Sequence, residues 1–235
     1  MFYDRKDAAL QLAEALKHYK DKNAVVLGIP RGGAVTAYYV ALYLNAEFSL
    51  LISRKLGHPL QPEYAVGAIA EDGTIHLNKY ALEEVTQKDI DESVLQQKKE
   101  IERRINILRK GQSLPEIKNR IVLIIDDGIA TGATIFAAIK MCKNKEAAKI
   151  IVAAPVSGPE IIKELKKEAD EVIILESPAF YHAVSQAYDY FEQVSDEEAS
   201  GLFENWNKIK KKPKPGTAKP GEPKSNIADE SVQQA

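Results

Sequence analysis

The sequence predicts a doubly wound α/β fold, a parallel five-stranded sheet with helices on both faces. Three observations carry that expectation. Short apolar runs alternate with helical patterns along the chain. The run Ile121–Ile125 is apolar throughout, as a strand buried on both faces must be. Three chemically unusual segments, Pro30–Gly33, Ser53–Gly57 and Asp126–Thr134, each follow such a run. If the strands are ordered 2-1-3-4-5, all three meet beyond the carboxyl ends of the strands, where open α/β sheets bind ligands.

The elements follow in order. Ala8, Ala9, Leu12, Ala13 and Leu16 at helical spacing predict a helix over Lys6–Tyr19, with Asp4 as its N-cap. Ala24–Ile29 is the first strand, and Ala34–Leu44 the helix after its glycine turn. Glu47–Ile52 is the second strand, and the prolines and glycine between Gly57 and Pro62 predict a loop. Ala65–Ala70 and Thr74–Leu77 flank Asp72-Gly73, a hairpin signal. Ile90, Val94, Ile101, Ile105 and Leu108 share one side of a long helix, Asp89–Arg109, which completes a hairpin/helix insertion. Ile121–Ile125 is the third parallel strand, followed by a helix over Ile135–Cys142. Lys149–Ala154 is the fourth, broken at Pro155–Gly158. Pro159 opens the helix Glu160–Ala169, because proline suits the first helical position. Glu171–Leu175 is the fifth strand. Ser177–Val194 is irregular and aromatic, and a last helix runs from Asp196 to about Trp206. Residues 1–206 form one domain, and the Lys/Pro-rich residues 207–235 read as a disordered tail.

Composition narrows the class. The chain has 235 residues, 45% hydrophobic and 28% charged, with a net charge of −2. That is an ordinary globular composition, with no bias toward nucleic acid or membrane surfaces. No apolar run approaches the ~18 residues of a membrane span. The lone Cys142 excludes a disulfide framework within the chain. With a charged start at Asp4-Arg5-Lys6, this predicts a cytoplasmic location.

The chemistry centres on Ile121–Thr134. Asp126 and Asp127 end the strand, and Thr131-Gly132-Ala133-Thr134 leads into the helix. A turn and helix start of that kind offer backbone N–H groups to a phosphate. Carboxylates accept hydrogen bonds from ribose hydroxyls. The P-loop lysine and the Rossmann glycine pattern are both absent. A phosphate would therefore meet main-chain donors and the hydroxyls of Thr131 and Thr134.

This stretch resembles the phosphoribosyl-pyrophosphate signature of the type I phosphoribosyltransferases: apolar strand, two acids, two mostly apolar residues, a variable one, Thr-Gly and a small pair. Val25–Leu44, with Pro30-Arg31-Gly32-Gly33, resembles that family's pyrophosphate loop. Arg54-Lys55 resembles the Arg-Lys pair of adenine and orotate members, and the hairpin falls where the family keeps a mobile loop. The resemblance spans about Ala24 to Leu175, with Ser177–Trp206 in the position of the variable hood that reads the base. Pro-Arg-Gly-Gly, Arg-Lys-Leu-Gly and Asp-Asp-Gly-Ile-Ala-Thr-Gly together resemble a bacterial subgroup of predicted phosphoribosyltransferases.

The resemblance implies roles. Asp126 and Asp127 would hold the ribose hydroxyls, directly or through Mg2+. Gly128, Ile129, Ala130, Thr131, Gly132, Ala133 and Thr134 would form the sugar-phosphate turn. Arg31, Gly32 and Gly33 would contact pyrophosphate, with Arg54 and Lys55 adding charge to that leaving group. Phe180 and Tyr181 would stack on the base. No enzyme nucleophile is needed, so Cys142 reads as a small buried helix residue. Two positions depart from the pattern. Gly128 stands where many members carry a bulky apolar residue. Ala130 stands where 6-oxopurine members carry an aspartate, which argues against a hypoxanthine or guanine enzyme of that type. The general base is unassigned; Glu63 and His58, in the position of the family's mobile loop, would approach the site on closure.

The function expected is Mg2+-dependent transfer of phosphoribose from phosphoribosyl pyrophosphate to a nitrogenous base, with purines the first class to consider. The alternative is a regulatory protein that senses phosphoribosyl pyrophosphate or nucleotides in the same pocket. No helix-turn-helix or strongly basic face supports a nucleic-acid partner. The family resemblance implies a homodimer.

Overall fold

In the computed structural model the described residues are 1–78, 83 and 85–211. The central sheet is parallel and five-stranded, in the order β2 (Glu47–Leu50), β1 (Val25–Gly28), β6 (Ile121–Ile125), β7 (Lys149–Val156), β8 (Glu171–Glu176). This is the 2-1-3-4-5 order on which the convergence of the loops depended. The switch in strand order lies between β1 and β6, which run side by side from Val25↔Val122 to Gly28↔Ile125.

Strand alternation builds two cores. Val26, Leu123, Ile125, Ile151 and Ala153 face one side, with α1 (Arg5–Ala15), α2 (Gly32–Leu44) and α6 (Asp196–Lys211). Val25, Leu27, Val122, Ile124, Ile150 and Val152 face the other, against α4 (Ala133–Asn144) and α5 (Pro159–Glu168). Both faces are covered, so these strands carry no polar alternation.

The structure departs from expectation at several boundaries. Asp4 caps α1 as expected, with its Oδ1 accepting from the Asp7 N–H at 2.8 Å. The helix stops at Ala15, and Lys17–Tyr19 continues as a 3-10 turn. β7 runs through Pro155 to Val156 instead of breaking there. Its β6 partner ends at Ile125↔Ala153, so the N–H that proline lacks falls beyond the end of β6. α6 passes Trp206 and continues to Lys211. Residues 212–235, most of the predicted tail, lie outside the described residues.

The largest difference is in the insertion. Ser53–Gly57 is not a strand-end loop, and Gly57–Pro62 is not a connecting loop. Ser53–His58 is strand β3, antiparallel to β4 (Gln61–Ala70), which pairs with β5 (Ile75–Leu77) in a second sheet. Of the loop signals between Gly57 and Pro62, only Pro59 falls in the hairpin tip, a turn at Pro59-Leu60. α3 (Gln87–Arg109) packs on this sheet, and a Thr86/Asp89 capping box fixes its start. A buried ion pair anchors the unit: Arg109 donates to Glu71 at 2.7 and 2.9 Å and to the Leu50 carbonyl at 2.8 Å.

Candidate functional site

Three segments meet at the carboxyl edge of β1 and β6. The first, Pro30–Gly33, contains a cis peptide between Pro30 and Arg31 and runs directly into α2. Its glycines touch the acidic pair. A Cβ on Gly32 would lie 1.8 Å from Asp127 Oδ2, and one on Gly33 2.7 Å from Asp126 Oδ1. No side chain fits between the loops at either position.

The second segment is the start of β3. Ser53 Oγ donates to the Thr134 carbonyl at 3.2 Å, which ties the insertion to the third loop. Arg54 Nε donates to Gln97 Oε1 of α3 at 3.1 Å. Burial, then the positive charge of Arg104, pushes the Arg54 pKa down, with Glu100 opposing. Arg104 and Arg103 both bond Glu100, at 2.8 and 2.7 Å. Those bonds, that of Arg103 first, hold the Glu100 carboxyl near pKa about 2. A cationic cluster pressed together in this way favours an anion.

The third segment begins at Asp126. Its Oδ1 accepts from the Asp127 N–H at 2.9 Å. Burial, then the neighbouring Asp127 charge, raises the Asp126 pKa well above the usual carboxylate range. Ile129 is buried and bonds the Val156 carbonyl at 2.9 Å, while Gly128 packs under Val184. Ala130 and Thr131 are exposed. Gly132 adopts φ 72°, a left-handed conformation suited to glycine, and starts α4. Neither the Thr131 nor the Thr134 hydroxyl is committed to a protein hydrogen bond, so both remain available beside the helix start.

A cavity of about 700 Å³ joins the segments. Pro30, Arg54, Lys55, Asp126 and Thr134 line it, together with Arg104, Gln97 and His58. Arg31 is exposed at the edge, 3.8 Å from Asp196. Phe180 is 86% exposed and does not line this cavity. Of the two predicted stacking residues, Tyr181 is the one near the acidic pair, and it packs on Gly158. Its hydroxyl is buried without a partner, and burial, then the Asp127 charge, raises its pKa. The Glu63 side chain lies outside the described residues.

Asp127 is held by residues that sequence reasoning did not place in the site. Arg5 Nε donates to its Oδ2 at 2.7 Å, and Tyr188 donates from its hydroxyl to the Asp127 carbonyl at 2.5 Å. Arg104 and Gln97 were missed as well. The only signal for these two was the polar face of a long helix, which does not say what that face covers.

The donor chemistry fits Mg2+. A half-buried carboxylate at Asp126, with its ionised form penalised by desolvation and a like charge, gains from a cation, and Mg2+ binds through one or two carboxylates plus substrate phosphates. Among the described residues no group of three or more His, Cys, Asp or Glu could hold a metal by itself.

Fold and loops define a class: doubly wound α/β proteins with a strand-end cavity at the switch in strand order. The phosphoribosyl transferase domain family matches residues 4–192, and the chain belongs to that family. Curated relatives from two strains of Mycobacterium tuberculosis, provisionally named phosphoribosyl transferases, are each 41% identical over 214 residues. The match covers 87% of this chain and 46% of theirs, so the chain spans about half the length of the curated relatives it matches. The crystal structure of TT1426 from Thermus thermophilus is similar at 36% identity and a TM-score of 0.76. That similarity covers 87% of this chain and 98% of the other.

Proposed function

We propose that this chain transfers phosphoribose from phosphoribosyl pyrophosphate to a nitrogenous base and releases pyrophosphate. The observation that carries the reading is the single cavity shared by Pro30, Arg54, Lys55, Asp126 and Thr134. The first turn of α4, with Thr131 and Thr134, holds the 5-phosphate through N–H and hydroxyl donors. The acidic pair supplies the carboxylate for the ribose hydroxyls. Gly32 and Gly33 let the first loop approach, and Arg31, Arg54, Lys55 and Arg104 surround the pyrophosphate.

As the bond from ribose C1 to the pyrophosphate oxygen breaks, positive charge grows on the sugar and negative charge on the leaving group. Fixed cations already in place stabilise the second without reorganising. A base nitrogen forms the new bond to C1. Mg2+, held by Asp126 and substrate oxygens, would offset charge on the phosphates. His58, in the cavity wall, is the candidate proton acceptor whose position is described. Purines are the first acceptors to test, because Ala130-Thr131-Gly132 resembles adenine members. A homodimer and a cytoplasmic location belong to the same proposal.

The test is direct. The protein is incubated with phosphoribosyl pyrophosphate, Mg2+ and a panel of bases, and pyrophosphate release is measured. Release that depends on one base supports transfer. Binding without release across the panel overturns it in favour of a sensor.

A further inference from the structure

Asp126 and Asp127 are neighbours at a strand end, so their side chains leave the chain in different directions. Asp126 lines the cavity with Pro30, Arg54 and Thr134. Asp127 is absent from that wall. Its carboxylate lies between Gly32 and Arg5 Nε, the latter at 2.7 Å, and the two paired side chains are 11% and 12% exposed. Arg5 is fixed at two further points. Its Nη1 donates to the Glu192 carbonyl at 2.6 Å, and its guanidinium lies 3.8 Å from the centroid of Phe191.

Backbone bonds stitch this arginine's segment to the hood. The Phe2 N–H donates to the Ala187 carbonyl at 2.7 Å. Asp189 N–H donates to the Phe2 carbonyl and Tyr190 N–H to the Tyr3 carbonyl, both at 2.9 Å. Tyr188 then reaches from the hood to the Asp127 carbonyl. The N-terminal segment and the hood thus converge on Asp127 from the side away from the cavity.

The geometry points to a division of labour within the acidic pair: Arg5 is a positioning residue that holds Asp127 away from the ligand, and Asp126 is the carboxylate that faces the sugar. The inference rests on the sugar-phosphate reading above. It departs from the equal roles that the family resemblance implied. Its physical basis is charge. Two carboxylates side by side, one buried and one half-buried, repel each other and an incoming phosphate. A fixed guanidinium on one of them offsets part of that repulsion and fixes the strand end at the same time. Without Arg5, Asp127 becomes an unpaired buried charge.

Titration calorimetry with phosphoribosyl pyrophosphate and Mg2+ tests this on the full chain, with a thermal melt for each variant. Asp126→Asn is expected to weaken binding at least a hundredfold, and Asp127→Asn by less than tenfold. Arg5→Met is expected to weaken binding tenfold or more. The double variant Arg5→Met/Asp127→Asn should regain most of that loss, because no unpaired carboxylate remains. Arg5→Lys, which keeps the charge but not the fork, should bind more tightly than Arg5→Met. A loss of tenfold or more in a folded Asp127→Asn overturns the inference. So does a double variant no better than Arg5→Met, or an Arg5→Lys no better. If the wild-type protein does not bind, the sugar-phosphate reading itself fails. If it binds and the variants rank otherwise, only the division of labour fails.

Discussion

Gly33→Ala tests the contact between the first and third loops. A Cβ there would lie 2.7 Å from Asp126 Oδ1, 2.9 Å from Asp126 Cα and 3.0 Å from the Ile125 carbonyl oxygen. Ordinary contact begins near 3.4 Å, so the loops must part by about 0.5 Å along this line. Two of the three atoms are backbone at the end of a central strand, so a side-chain rotation cannot relieve the clash. Overpacking of this kind costs roughly 1–3 kcal/mol. For a domain of this size that lowers Tm by about 2–12 °C. Displacement of the acidic pair should also weaken phosphoribosyl pyrophosphate binding, by about tenfold or more, since misplacement near 1 Å can cost ~100-fold in a preorganised site. Gly201→Ala is the control. It lies exposed in α6 with nothing within 4 Å of its Cβ, and alanine there should stabilise by about 0.5–1 kcal/mol. Scanning calorimetry and titration calorimetry read both variants. A Gly33→Ala protein with wild-type Tm and wild-type affinity would show that the two loops do not touch.

The remaining predictions concern the insertion and the core. Glu71→Ala strands Arg109, only 1% exposed, without its carboxylate, and should cost about 3–5 kcal/mol by chemical denaturation. A loss under ~1 kcal/mol would mean that the pair is solvated. The Glu100 carboxyl is held near pKa about 2 in the fold against 4.5 unpaired. Its contribution is therefore fully present above about pH 4.5 and lost as pH falls toward 2, so the Tm gap between wild type and Glu100→Gln should close over that window. A gap constant from pH 6 to 3 would contradict the Arg103 and Arg104 pairing. Cys142 is fully buried and its thiol is pushed up to about 12, chiefly by burial. It should resist iodoacetamide at pH 8 until the protein unfolds, and rapid alkylation of the native protein would refute its place in the core.

The sequence by itself determined the sheet and its ligand-bearing edge. Short apolar runs such as Ile121–Ile125, too short for a helix and bounded by turn residues, fit a strand covered on both faces. Glycine turns and helix starts after β1 and β6 are local signals, legible because backbone conformation and donor supply depend on neighbouring residues. Ser53–His58 was harder. Its glycine, histidine and charges read as a loop, yet pairing with β4 makes it a strand, since cross-strand partners rather than local propensity decide such a segment.

Only the tertiary structure decided which distant side chains surround the acidic pair. Arg5 lies 122 positions from Asp127, and Gln97 lies 43 from Arg54. No periodicity links residues at that separation. Nor could local sequence distinguish Asp126 from Asp127. Their difference lies in what packs on either side of one strand end, with an open cationic cavity facing Asp126 and Arg5 and the hood enclosing Asp127.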